Sequence, residues 1–126
     1  MSSSAARHGG HILLESLYNL GARHGFGVPG ESYLAALDAM TDSQFDFTLC
    51  RNEGGAAFMA AAFGKLTGHP GICFVTRGPG AANASIGVHT ALQDSSPMLL
   101  FIGQVGTDMI GREAFQEVDY LSLIHI

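Results

Sequence analysis

Tryptophan is absent from this sequence, and cysteine occurs only twice, at Cys50 and Cys73. Two thiols cannot build the disulfide framework of a small secreted domain, so a reducing, cytoplasmic setting is the natural expectation. Basic residues are scarce as well: six Lys and Arg stand against eleven Asp and Glu, a net charge of -5. A nucleic-acid surface needs a basic excess on one face, and this composition excludes nucleic acid as a partner. No apolar run approaches the ~18 residues of a membrane span, so no membrane is expected. The N-terminal stretch Met1 to Gly10 is rich in Ser, Ala and Gly and lacks the apolar segment of a signal peptide. Charged residues make up only 13% against 47% hydrophobic ones, which excludes intrinsic disorder. At 126 residues the chain has the length of one domain and can bury a real core.

What is present in excess is glycine, with 17 residues, nearly twice the usual share of about 7%. Sixteen alanines add to it. Small residues at this frequency point to close backbone packing and tight turns between helices and strands. The spacing of Ile12, Leu13, Leu17 and Leu20 predicts a helix over 11–23, and Phe26–Val28 reads as a short strand ended by Pro29-Gly30. A second helix is expected from Ser32, with Leu34, Leu37 and Met40 on one face. Phe45–Leu49 reads as the next strand. A long Ala-rich helix is predicted over 53–67, with Asn52 as its N-cap and Gly68 as its stop. Ile72–Thr76 is an apolar strand, Pro79 suits the first position of a fourth helix, and Met98–Ile102 is a fourth strand. Unbroken apolar strands alternating with helices predict an α/β fold: an open parallel sheet with helices on both faces.

In such sheets ligands sit beyond the carboxyl ends of the strands. Those ends carry Val28-Pro29-Gly30-Glu31, Cys50-Arg51-Asn52-Glu53, Thr76-Arg77-Gly78-Pro79-Gly80 and Gly103-Gln104-Val105-Gly106. Three lead into helix N-termini, whose free N–H groups attract acceptors. Glu53 is the only carboxylate in the first turn of the long helix, and its neighbours Gly54, Gly55, Ala56, Ala57 and Phe58 make an apolar, open setting. A first-turn Glu also simply suits the helix dipole. Gly25-Phe26-Gly27-Val28-Pro29-Gly30 matches G-x-G-x-x-G in letters only, since it begins before the strand and contains proline. The Gly78-Pro79-Gly80 turn lacks the lysine and serine of a phosphate loop. The histidines His8, His11, His24, His69, His89 and His125 read as surface residues, His8 and His11 near a frayed terminus, and no metal ligands are expected among them. Cys50 and Cys73 read as inert strand residues.

The ordered set Phe26-Gly27-Val28-Pro29-Gly30, Arg51-Asn52-Glu53-Gly54-Gly55-Ala56-Ala57, Thr76-Arg77-Gly78-Pro79-Gly80-Ala81-Ala82-Asn83, Asp94-Ser95-Ser96-Pro97, Gly103-Gln104-Val105 and Gly111-Arg112-Glu113-Ala114-Phe115-Gln116-Glu117 resembles a known family. It looks like the N-terminal, pyrimidine-binding domain of thiamine diphosphate enzymes, nearest to the acetolactate synthase group, over about residues 10–120. The resemblance implies a thiamine diphosphate-dependent decarboxylase or carboligase acting on a 2-keto acid, a lyase or transferase. By position, Glu53 resembles the catalytic glutamate that hydrogen-bonds the N1′ atom of the aminopyrimidine. A carboxylic acid there shares its proton with the ring, while the cofactor carries the carbon chemistry. Apolar burial would raise its pKa and the helix dipole would lower it. Val28, Pro29 and Gly30 resemble one cofactor-binding wall, with Thr76, Pro79 and Asn83 as the other. Phe115 and Gln116 resemble the substrate-side pair.

The same resemblance assigns the diphosphate and Mg2+ to a separate C-terminal domain with a Gly-Asp-Gly…Asn-Asn motif, which has no counterpart here, and leaves FAD open. It implies a homo-oligomer in which a second subunit completes each active site. This chain would supply half a site and be inactive alone. Three positions depart from the acetolactate synthase pattern: Glu31 where another glycine is usual, Val28 where tyrosine is common, and Arg77 where serine is usual. They leave sulfoacetaldehyde-, glyoxylate- and benzoylformate-type relatives open. Two other readings stay open, a nucleotide-binding α/β module and a non-catalytic interaction domain of the same fold.

The last six residues, Leu121-Ser122-Leu123-Ile124-His125-Ile126, are what the DNA string CTG TCT CTT ATA CAC ATC encodes, which looks like a transposase adapter from sequencing libraries. The expected organisation is therefore a flexible N-terminus over 1–9, a C-terminally truncated pyrimidine-binding domain over 10–120, and an adapter artefact over 121–126. A genuine short apolar strand is the alternative for that tail.

Overall fold

Phe74 shows how the chain is layered. With Ile72 it points to one face of a central strand, while Cys73 and Val75 point to the other, and all four are fully buried. A strand buried on both faces must lie inside a sheet covered by helices on each side. The computed structural model describes residues 7–124. Along them run α1 (Gly9–Asn19), β1 (His24–Gly27), a 3-10 turn (Glu31–Tyr33), α2 (Leu34–Thr41), β2 (Asp46–Leu49), α3 (Glu53–Thr67), β3 (Gly71–Val75), α4 (Pro79–Gln93), β4 (Met98–Ile102) and α5 (Tyr120–Ile124). The four strands pair in parallel in the order β2-β1-β3-β4. The expected α/β architecture, an open parallel sheet with helices on both faces, is the one observed.

Helices α1 and α2 cover one face. Leu14, Leu17, Ala36, Ala39 and Met40 pack there against Phe45, Ile72 and Phe74. Helices α3 and α4 cover the other, where Ala56, Ala57, Ala60 and Ala84 meet Cys73 and Val75. The chain thus leaves β1 toward one face and β3 toward the other. That divergence opens a crevice between the carboxyl ends of β1 and β3, the usual ligand position in such sheets.

Local chemistry explains the sharpest boundaries. The Asn52 side chain accepts from the N–H groups of Gly54 and Gly55, at 2.8 and 3.3 Å, and so caps α3. Gly68 closes the same helix at φ 73°, a left-handed conformation that glycine adopts without strain. Pro79 opens α4 as expected.

Other elements differ from expectation. Helix α1 runs over Gly9–Asn19 rather than 11–23, because the chain turns at Gly21 and Ala22 to feed β1. Gly9, placed in the flexible N-terminus by the sequence, is therefore helical, and residues 1–6 of that segment lie outside the described residues. Of the three residues expected on the apolar face of α2, Met40 is buried and Leu37 packs against the core, but Leu34, at the junction with the 3-10 turn, is exposed; Ala36 and Ala39 complete the buried face. Cys50 lies just beyond β2 rather than in it, although its N–H still donates to Gly27 O at 2.8 Å. His24 is a half-buried member of β1, held at 2.9 Å by both Asp46 and Thr48 of β2. Residues 120–124 form a short helix, not the alternative strand; His125 and Ile126 lie outside the described residues.

Candidate functional site

Glu53 is the first residue of α3, placed at the crevice by the Asn52 cap. It is half-buried. Its Oε2 accepts a 3.0 Å hydrogen bond from Asn83 Nδ2 on α4. The bond forms because the two helices are nearly bare where they cross: a Cβ on Gly87 would lie 2.4 Å from the Ala57 Cβ. Short side chains can then reach across. Oε1 accepts no hydrogen bond among the described residues and faces the space over Gly80, where an added Cβ would sit 3.6 Å from it. That same Cβ would lie 2.9 Å from Thr76 Cγ2. The missing side chain at Gly80 therefore lets Thr76 pack close and keeps a methyl group from the Glu53 carboxylate.

The residues predicted to form the two walls sit at the ends of β1 and β3. Gly30 backs directly onto Thr76, with no room for a side chain between them. Val28 O accepts from the Tyr33 hydroxyl. Pro29 is exposed, and Pro79 is the first residue of α4. The structure joins Glu53 to Asn83 and Gly30 to Thr76; no described hydrogen bond joins Val28 or Pro29 to Glu53. Electrostatics links them more loosely. The Tyr33 phenol is pushed well above its ordinary value by burial first, then by Cys73 and by the Glu53 charge. The Cys73 thiol is pushed up to about 12 by burial, then by Cys50 and Glu53.

Phe115 and Gln116 belong to the irregular segment between β4 and α5. Phe115 is exposed, and Gln116 holds a positive φ of 61°. The segment docks on the turn after β3: a Cβ on Gly78 would lie 2.6 Å from Gln116 O, and Gly78 itself has φ 49°. Only glycine fits there without strain. The Gly78 N–H donates to the Tyr120 hydroxyl at 3.0 Å, and that hydroxyl donates to Gly103 O at 3.2 Å.

Sequence reasoning missed Ser32, the meeting point of three turns. Its Oγ accepts from the Arg77 N–H at 3.1 Å, lies 2.9 Å from Thr76 Oγ1, and fills the space beside Gly103. A serine after a Pro-Gly-Glu turn carries no signal of that role in one sequence. His8 and His11 were also read without a carboxylate partner. In the structure their rings meet at 3.9 Å between centroids, tilted by 40°, and His8 Nε2 lies 3.1 Å from Asp38 of α2. This is the one trio among the described residues with donor atoms within 4.8 Å of one another. It lies on the α1/α2 face, away from Glu53. His8 and His11 are half-buried, Asp38 is exposed, and the Nδ1 atoms of both imidazoles are buried without a hydrogen-bond partner.

The space beside Glu53 can be tested against the group implied by the sequence. A flat heteroaromatic ring with a basic nitrogen needs a carboxyl oxygen free of other partners and a slot without side chains. Oε1 meets the first need, and glycine at position 80 keeps a side chain from crowding that oxygen. Arg77, one cation near the crevice, is engaged by Glu31.

The chain is similar to known proteins. The acetolactate synthase catalytic subunit of Aspergillus candidus mitochondria is 42% identical over 122 residues, covering 96% of this chain and 18% of that protein. The acetolactate synthase isozyme 2 large subunit of Escherichia coli K12 is 40% identical over 116 residues, covering 92% and 21%. A probable acetolactate synthase large subunit of Methanocaldococcus jannaschii is 42% identical over 115 residues, covering 91% and 20%. The chain spans about a fifth of the length of these curated relatives. A family model described as the thiamine pyrophosphate enzyme N-terminal TPP binding domain matches residues 7–123, and the chain belongs to that family.

Proposed function

We propose that this chain is the pyrimidine-binding part of a thiamine diphosphate-dependent 2-keto acid decarboxylase or carboligase of the acetolactate synthase type. Glu53 is the proton-sharing group, with Asn83 holding its Oε2 so that Oε1 is aimed at the aminopyrimidine. Val28, Pro29, Gly30, Thr76 and Pro79 line the cofactor's two sides, and Phe115 and Gln116 face the substrate. When bound, the cofactor supplies the carbon nucleophile of decarboxylation and carbon–carbon bond formation. The chain's own part is to orient the ring, keep water from it and hold one proton at Oε1. Mg2+ and the diphosphate fall to a further domain, and a second subunit completes the site.

The observation that carries this reading is the Glu53–Asn83 bond at 3.0 Å, which occupies Oε2, with glycine at position 80 leaving Oε1 uncrowded. Glu53→Gln in the full-length enzyme keeps the size of the side chain and removes its acidic proton. Exchange of the C2 proton of bound cofactor, followed by NMR, should slow by ~100- to 10,000-fold, the usual span of an acid–base contribution. Exchange at the unaltered rate would overturn the assignment.

A further inference from the structure

Two of the three positions where the sequence departs from the acetolactate synthase pattern meet in space. Arg77 and Glu31 are 46 residues apart in sequence, and Arg77 Nη2 donates to Glu31 Oε1. The Arg77 side chain is only 11% exposed although charged. It is held on other sides too. Its Nε donates to Phe115 O at 2.8 Å, its guanidinium carbon lies 5.7 Å from the centre of the Phe115 ring, and its backbone N–H donates to Ser32 Oγ. One planar fork therefore ties the turn after β1 to the segment after β4.

That segment needs tying. It contains no helix or strand between Ile102 and Tyr120, and two of its residues, Glu113 and Gln116, have positive φ. Non-glycine residues keep such conformations only where their surroundings over-determine them. Gln116 directly follows the carbonyl that Arg77 holds. Glu117 fastens the same turn from inside, accepting from the Gly111 and Ala114 N–H groups, which hold its carboxyl below the usual range.

We propose that Arg77, anchored by Glu31, is a positioning residue that fixes the Phe115–Gln116 turn at the mouth of the crevice and thereby sets which 2-keto acids the site admits. It acts through the turn and leaves the Glu53 machinery alone. The inference rests on the reading of Phe115 and Gln116 as the substrate-side pair. A lysine cannot replace the fork, because a point charge cannot hold two acceptors in fixed directions.

The test uses Arg77→Ser, Arg77→Lys and the exchanged pair Glu31→Arg/Arg77→Glu in the full-length enzyme. Amide hydrogen exchange over residues 111–117 should speed by about 10- to 100-fold in all three, the change expected from losing one charged hydrogen bond. The ratio of kcat/KM for pyruvate to that for benzoylformate should shift, while C2 proton exchange of the cofactor stays at the parent rate. The exchanged pair restores the ion pair but not the bond to Phe115 O, so it should behave like Arg77→Ser. Should Arg77→Ser fail to fold, Arg77→Lys carries the same expectations. Unchanged amide exchange in 111–117, rescue by the exchanged pair, or a fall in C2 exchange would each overturn the proposal. The amide measurement stands even where Glu53→Gln refutes the cofactor assignment.

Discussion

The two faces of the sheet are built from different materials. Toward α1 and α2, Phe74 is ringed by Tyr33, Phe45, Phe47 and Phe101 at centroid distances from 4.9 to 6.4 Å. Toward α3 and α4, Cys73 and Val75 meet alanines and the bare Gly87 crossing. The first face fills its space with aromatic volume. The second has little volume to fill, and its helices close the gap by moving together. The proposed site draws on the second face for a geometric reason: Glu and Asn have short side chains, and closely approached helix backbones let Glu53 and Asn83 meet.

The comparison breaks most visibly at Phe74. Phe74→Ala should cost about 3–5 kcal/mol, since a large side chain is lost from a rigid surround; chemical unfolding measures it. Gly87→Val probes the opposite face and should cost about 1–3 kcal/mol through overpacking. A Gly87→Val loss as small as that of a surface substitution would mean the α3–α4 crossing is looser than drawn. Phe74 tests a filled space and Gly87 a closed one.

A smaller effect concerns the thiols. Cys73 is fully buried on the small-residue face, with its pKa pushed up from 9.0 to about 12. The fold therefore favours the neutral thiol more than the unfolded chain does. That stability is fully present below about pH 9 and is lost as pH rises toward 12, with a slope of at most about 1.4 kcal/mol per unit. At pH 8, iodoacetamide should label half-buried Cys50 and leave native Cys73 intact. Faster labelling of Cys73 would show that this face opens more readily than the aromatic one.

Legibility followed the same physics. Helix α3 was readable to both ends because Asn52 and Gly68 carry their cap chemistry in their own side chains or lack of one. Strand β4 was readable from its apolar run. Glu53 stood out as a lone carboxylate in a first turn. On α2, Leu37 and Met40 were read correctly and Leu34 was not, because a 3-10 turn that spacing does not announce ends just before it. Arg77 and Glu31 were each visible as departures, but one sequence holds no sign that residues 46 apart form a pair. Ser32 was silent for the same reason: its bonds are to turns that only the sheet order brings together.

That order also has a history written into it. Strands β1 and β2 are neighbours in both sequence and space, as are β3 and β4, whereas the β1–β3 ladder joins segments separated by α2, β2 and α3. Closing a longer loop costs more entropy, so the two local halves, residues 24–49 and 71–102, are expected to form before they dock. In pulse-labelled refolding, amides of the β3–β4 ladder should gain protection before those shared by β1 and β3, and simultaneous protection would refute this sequence of events. The crevice lies on the late seam. The chain completes its binding surface at the moment its two halves recognise each other, and anything lodged there acts as mortar between them.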